Sequence, residues 1–141
     1  MSFFASFRPF NLQYNHTIYQ EWGYYYDVYF NLYLDEQKTN EEVRIWVNSE
    51  GDVISYSNFM VNCFDDATTD SITDQSVAEA KNESEELVYE ELEGNDYKID
   101  DQYLTYDEDG ELAIETVYTY FVTDGMNNIK CSDSVIVPIQ E

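Results

Sequence analysis

The chain has 141 residues, with 30 Asp and Glu against 6 Lys and Arg, and a formal net charge of −24. That balance argues against direct binding to a nucleic-acid backbone or to anionic lipid, and leaves basic proteins and metal cations as partners. The 43% hydrophobic and 17% aromatic content is too rich for wholesale disorder. No apolar stretch approaches a membrane span, and one His with two Cys excludes a zinc site of the usual multi-ligand kind.

The length suits a single domain, 1–141, with a real core. The charge is uneven. Residues 1–62 hold 8 acids and 3 bases, whereas residues 63–141 hold 22 acids and 3 bases. The composition changes at Asp65–Ser71, a polar, acidic connector around which a subdivision into 1–64 and 71–141 is the alternative. Residues 1–10 lack the basic start and long apolar core of a secretory leader. The chain therefore reads either as cytoplasmic or as a piece of a longer secreted or anchored protein. Cys63 and Cys131 read as two buried free thiols, with a long-range disulfide as the alternative.

The first strong element runs from Tyr24 to Leu34. Tyr24, Tyr26, Val28, Phe30, Leu32 and Leu34 alternate with Tyr25, Asp27, Tyr29, Asn31 and Tyr33, the period of a strand with one greasy and one tyrosine-rich face. Val43, Ile45 and Val47 alternate with Arg44 and Trp46 in a second strand. Asn48–Asp52 is a turn with Gly51 at its tight position, and Val53–Tyr56 returns. The period then changes. Val77, Ala80, Ser84, Leu87 and Val88 fall on one side of a helix over about 75–92. Ser76 and Glu79 have capping-box spacing, Thr73 and Asp74 compete as caps, and Gly94 with Asn95 supplies the stop. Gln102–Tyr106, a turn at Asp107–Glu111, Leu112–Val122, a turn at Gly125–Asn128 and Val135–Val137 complete the pattern. Pro138 places the last strand at an edge or ends it. The whole predicts an α+β fold: antiparallel sheet with one main helix.

A short motif repeats. Val47–Val53 and Tyr106–Leu112 share the order apolar, turn acid or amide, acid, Gly, acid, apolar, with Gly51 and Gly110 59 residues apart. Duplication and shared turn chemistry both account for it.

Three segments carry a family resemblance: "VRIWVNSEGDVISY" (43–56), "SVAEAKNESEEL" (76–87) and "YLTYDEDGELAIETVYTYFV" (103–122). Together they resemble the strand–turn–strand, opening helix and following hairpin of PepSY-type domains. They are also similar to extracytoplasmic modules of Gram-positive bacteria such as the YycH/YycI sensor regulators. The resemblance implies two PepSY-like halves and a non-catalytic, extracytoplasmic regulatory or protease-inhibitory role. It carries over no functional residues, because the matched positions are structural.

His16 lies in a polar stretch without a nucleophile motif, so a Ser–His or Cys–His couple is not expected. The carboxylates are too abundant for any pair to stand out as an acid/base couple, and neither an enzyme activity nor a cofactor is read from them. Asp107, Asp109 and Glu111 project from one turn without the spacing of a calcium loop. That leaves weak divalent-cation binding through charge alone and no defined metal site. Tyr25, Tyr29, Tyr33 and Trp46 form either core or, if no helix covers their face, an aromatic patch for a protein or peptide. The expected function is a non-catalytic module that contacts a protein partner through that sheet face and the acidic turn Asp107, Asp109 and Glu111. The alternative is an acidic nucleic-acid mimic of the phage type, cytoplasmic, which inhibits a basic DNA-binding or nuclease defence protein.

Overall fold

A computed structural model describes residues 10–58 and 72–140, and among these described residues the chain forms seven strands and one helix. Among the described residues strand occupies 62%, against one helix of 18 residues. The α+β expectation is therefore corrected to a β-rich fold. The difference lies in strands that are longer and more polar than their apolar segments indicate. The chain forms two compact units, Met1–Phe64 and Asp65–Glu141. Cys63 and the acidic connector at Asp65–Ser71 lie outside the described residues.

Unit 1 is an antiparallel meander of β1 (Phe10–Gln20), β2 (Tyr25–Leu34), β3 (Gln37–Asn48) and β4 (Val53–Asn58). β1 was not expected from the sequence. A register shift between Tyr14 and His16 breaks its alternation, so Leu12 and Tyr14 share a face with Thr17 and Tyr19 although their parity differs. At this bulge the Asn15 side-chain amide donates to Asn31 Oδ1 at 2.6 Å. A second irregularity leaves extra β3 residues opposite Leu32. The Thr39 hydroxyl donates to the Leu32 carbonyl at 2.7 Å and accepts from the Glu41 N–H at 3.2 Å, so backbone groups freed from the ladder stay bonded.

The described part of unit 2 holds α1 (Asp74–Glu91), followed by the meander β5 (Tyr97–Tyr106), β6 (Leu112–Asp124) and β7 (Asn127–Pro138). Thr73 is the N-cap: its hydroxyl accepts from the Ser76 N–H at 3.1 Å, and the Ser76 hydroxyl accepts from the Thr73 N–H at 2.9 Å. This reciprocal pair replaces the Ser76–Glu79 box expected from spacing. The helix stops where Glu93 and Gly94 take positive φ and the Asn95 side chain bonds the Leu92 carbonyl. Val77, Ala80, Ser84 and Val88 are its buried stripe, and they pack on β6 and β7. Val88, Leu92 and Tyr118 form a buried cluster flanked by Tyr97, Ile99, Tyr120 and Val135. Beside it, the small Ser84 lets the helix approach closely enough for its hydroxyl to meet Thr116 at 2.6 Å, while Gln102 donates to Thr116 at 3.0 Å. Among the described residues no helix is long and apolar enough to cross a membrane.

Candidate functional site

Within unit 1 the register places Tyr25, Tyr29, Tyr33 and Trp46 on one sheet face. Tyr25 is 7% exposed. Its ring lies against Trp46 at 5.0 Å and meets the edge of Trp22 at 5.6 Å. A Cβ on Gly23 would come within 2.6 Å of it, so the β1–β2 turn needs glycine to admit the ring. Tyr29 and Tyr33 are half-buried, as is Trp46.

Between Tyr29 and Trp46 sits an ion pair that sequence reasoning did not single out. Arg44 Nη2 donates to Asp27 Oδ2 at 2.6 Å and to the Tyr29 hydroxyl at 2.6 Å, and that hydroxyl donates to the same Oδ2 at 3.0 Å. Asp27 is 1% exposed. The Arg44 guanidinium lies 4.5 Å from the Tyr29 ring centroid, and the His16 imidazole stacks on that ring at 4.2 Å and 10°. Burial, and then the bond to Asp27, pushes the Tyr29 phenol above its ordinary range; the bond to Asp27 raises the Arg44 guanidinium further. Neither group is poised to exchange a proton at neutral pH, so the arrangement clamps three strands and holds its protons in place. The available signal was cross-strand: Asp27, Tyr29 and Arg44 share one face once β2 and β3 are paired as a hairpin.

In unit 2, Asp109 and Glu111 are exposed and Asp107 is half-buried. The three do not converge. Asp107 Oδ1 turns inward and accepts the N–H groups of Asp109 and Glu111, each at 2.9 Å. Among the described residues no three His, Cys, Asp or Glu side chains are grouped to hold a metal ion.

The outer side of α1 presents a more regular acidic array. Glu79, Glu83, Glu86 and Glu90 are all exposed and recur at four, three and four residues, one stripe of a 3.6-residue helix. It lies away from the buried stripe at Val77, Ala80, Ser84 and Val88. The last turn contains no basic residue, and Glu90 and Glu91 are placed at the negative end of the helix dipole. At Glu90 the dipole alone favours the reverse choice, whereas Glu91 accepts a hydrogen bond from the Tyr118 hydroxyl. Open clefts border this unit's sheet and helix: one of about 320 Å³ is lined by Tyr97, Lys98, Asp100, Thr119, Phe121 and Lys130 and gathers mixed charges, and a larger one of about 470 Å³ is lined by Asn82, Glu85, Glu86, Tyr89, Glu90 and Tyr97. No protein-family model, curated protein or solved structure matches the chain.

Proposed function

We propose that the protein is a non-catalytic binding module whose acidic helix docks on a basic protein surface. The observation that carries this reading is the Glu79, Glu83, Glu86 and Glu90 stripe, kept acidic to the helix end without a cation in the last turn. Like charges three and four residues apart each cost a helix a few tenths of a kcal/mol. A surface held against its own stability points to a partner that repays it. Exposed carboxylates of one sign also steer a basic partner and speed its encounter.

A second reading, mimicry of nucleic acid, is favoured by spacing. The helix carries seven acids, Asp74, Glu79, Glu83, Glu85, Glu86, Glu90 and Glu91. Over its length of roughly 27 Å this gives about one charge per 4 Å, near the ~3.4 Å per charge of a single DNA strand. The basic partner is then a DNA-binding groove.

Displacement separates the readings from one another and from neither. A labelled DNA duplex is bound to a panel of basic DNA-binding nucleases, and this protein is titrated in at low and high salt. Displacement that fades in high salt, and is lost in a Glu79, Glu83, Glu86 and Glu90→Gln variant, supports mimicry. Salt-sensitive binding to basic proteins without displacement supports the first reading alone. Affinity unchanged by the four substitutions overturns both.

A further inference from the structure

We infer that a second copy of this chain packs on the other face of the unit 1 sheet, giving a two-fold dimer. That face is the one whose pattern reads as core in the sequence. Its register pairs include Leu12 with Leu32, Tyr14 with Phe30, Tyr19 with Tyr26, Val28 with Ile45, and Val47 with Val53. None of these paired positions carries a charge. In a chain with 30 acids, such a surface is a marked exclusion.

Leu34 and Val43 on this face are buried, but much of the rest of it is open. Leu12 is 46% exposed, Tyr14 61%, Tyr19 46%, Tyr26 42%, Val53 64% and Tyr56 63%. Rings on neighbouring strands already tile it: Tyr19 and Tyr26 lie 5.0 Å apart, and Tyr14 meets Phe30 edge-on at 6.1 Å. Four tyrosines about half exposed, with Leu12 and Val53, offer on the order of 700 Å² at roughly 150–250 Å² per aromatic ring. A stable interface of standard size needs ~800 Å² per partner. Single-layer sheets gain a core by stacking on a second sheet about 10 Å away.

The choice of a second copy over another protein rests on charge. Unit 1 holds 8 acids and 3 bases, a net of −5, whereas unit 2 holds 22 acids and 3 bases, a net of −19. Two copies of a −24 chain repel, and the place where they meet at least cost is the uncharged face of the less acidic unit. An isologous contact there sets Tyr against Tyr and apolar against apolar, with no buried charge to desolvate. A basic partner, by contrast, would find no carboxylate on this face to pair with.

This surface is built by unit 1 residues and the acidic stripe by unit 2 residues, so its test involves no basic partner. Sedimentation equilibrium of the full chain in moderate salt, from low to high micromolar, should show a dimer of the 16.6 kDa chain that tightens as salt rises. Tyr26→Thr and Tyr56→Thr keep good strand formers at both positions. Together they should weaken the dimer by at least roughly tenfold, the effect of removing central tyrosines from an interface, with unchanged circular dichroism. Ile18→Lys, at an exposed position on the opposite face, should leave the dimer intact. A monomer throughout the range overturns the inference, whether another protein or nothing covers the face. So does a dimer that survives both tyrosine changes, or one that Ile18→Lys dissolves while the fold persists.

Discussion

Asn48 and Asp107 hold two hairpin turns by the same four hydrogen bonds. Asn48 Oδ1 accepts from the N–H groups of Glu50 and Asp52 at 3.0 Å each, and Asp107 Oδ1 from those of Asp109 and Glu111 at 2.9 Å each. The Asn48 and Asp107 backbones close each turn, donating to Asp52 and Glu111 at 2.9 and 2.8 Å and accepting from Gly51 and Gly110 at 3.1 Å. Gly51 and Gly110 have φ of 90° and 79°. The repeat seen in the sequence is thus a repeat of turn chemistry: an Asx side chain bridging two N–H groups, with a left-handed glycine after it.

The first prediction is drawn from this equivalence. Asp107→Asn should be close to neutral, because Asn48 already performs the role. Asn48→Ala and Asp107→Ala should each cost about 1 kcal/mol, toward the low end for two exposed hydrogen bonds that water can replace. Gly51→Ala and Gly110→Ala meet no neighbour within 4 Å, so only backbone strain of about 1–2 kcal/mol remains. Denaturant midpoints of the five variants test the ranking.

The ion pair gives the second. Arg44→Met leaves the Asp27 carboxylate, 1% exposed, without its cation. Breaking a buried pair costs ~3–5 kcal/mol; the Arg44 side chain is 30% exposed, so screening brings the expected loss to about 2–3 kcal/mol. Asp27→Asn with Arg44→Met should recover part of that loss, since no buried charge is then unpaired. Urea unfolding of the two singles and the double gives the coupling; strict additivity would mean that the pair is not an energetic unit.

Tyr118 sets an alkaline limit. Its hydroxyl donates to Glu91 Oε2 at 3.1 Å; burial, then that bond, pushes its pKa up from 10.0 to about 12. The folded state holds the phenolic proton more tightly than the unfolded chain does. The contribution is therefore complete below pH ~10 and is lost as pH rises from there to about 12, amounting to roughly 2 kcal/mol. Tyr118→Phe should lower stability slightly at neutral pH and flatten the fall between pH 10 and 12. A stability profile as steep as that of the parent would show that other tyrosines set the limit.

Much of the fold was legible where one strong period ran without interruption. Tyr25–Leu34 keeps its alternation, Leu112–Asp124 is an unbroken run of strand-forming residues, and α1 buries Val77, Ala80, Ser84 and Val88 of its stripe while Leu87 is exposed, so these were readable to within a residue or two. β1 was not, because the bulge at Tyr14 and His16 shifts the parity of a strand that is also rich in amides. β5 was readable only from Gln102 onward, because a register shift between Ile99 and Asp101 interrupts its first half. The alternation of β2 separated its two faces correctly but could not tell which was covered. Tyr25 and Asp27 are buried on the face considered as a docking patch, while Tyr26 on the face taken as greasy core is 42% exposed. Burial of the first depends on Trp22, Gly23, Arg44 and Trp46, residues brought in by neighbouring strands and turns, which no single-strand period contains. The acidic helix stripe was fully present in the sequence as a spacing, and its significance rests on the missing cation in the last turn.

The final prediction sets stability against binding in α1. Glu90→Lys removes one like-charge neighbour of Glu86 and supplies the cation that the last turn lacks. The pair term is a few tenths of a kcal/mol and the dipole term up to about 1 kcal/mol at low salt. Together they should raise the melting temperature by about 4–8 °C, the shift that ~1 kcal/mol produces in a unit of this size. Moderate salt should stabilise the parent protein by screening its carboxylates and should shrink the gain of the variant, because both effects draw on the same repulsion. If the acidic stripe is a docking surface, the stabilised variant must associate more slowly with a basic partner, with dissociation nearly unchanged and the deficit vanishing at high salt. Stopped-flow association at two ionic strengths, beside melts of the same samples, measures both sides. A variant that melts higher and binds as fast as the parent would mean that Glu90 serves solubility alone.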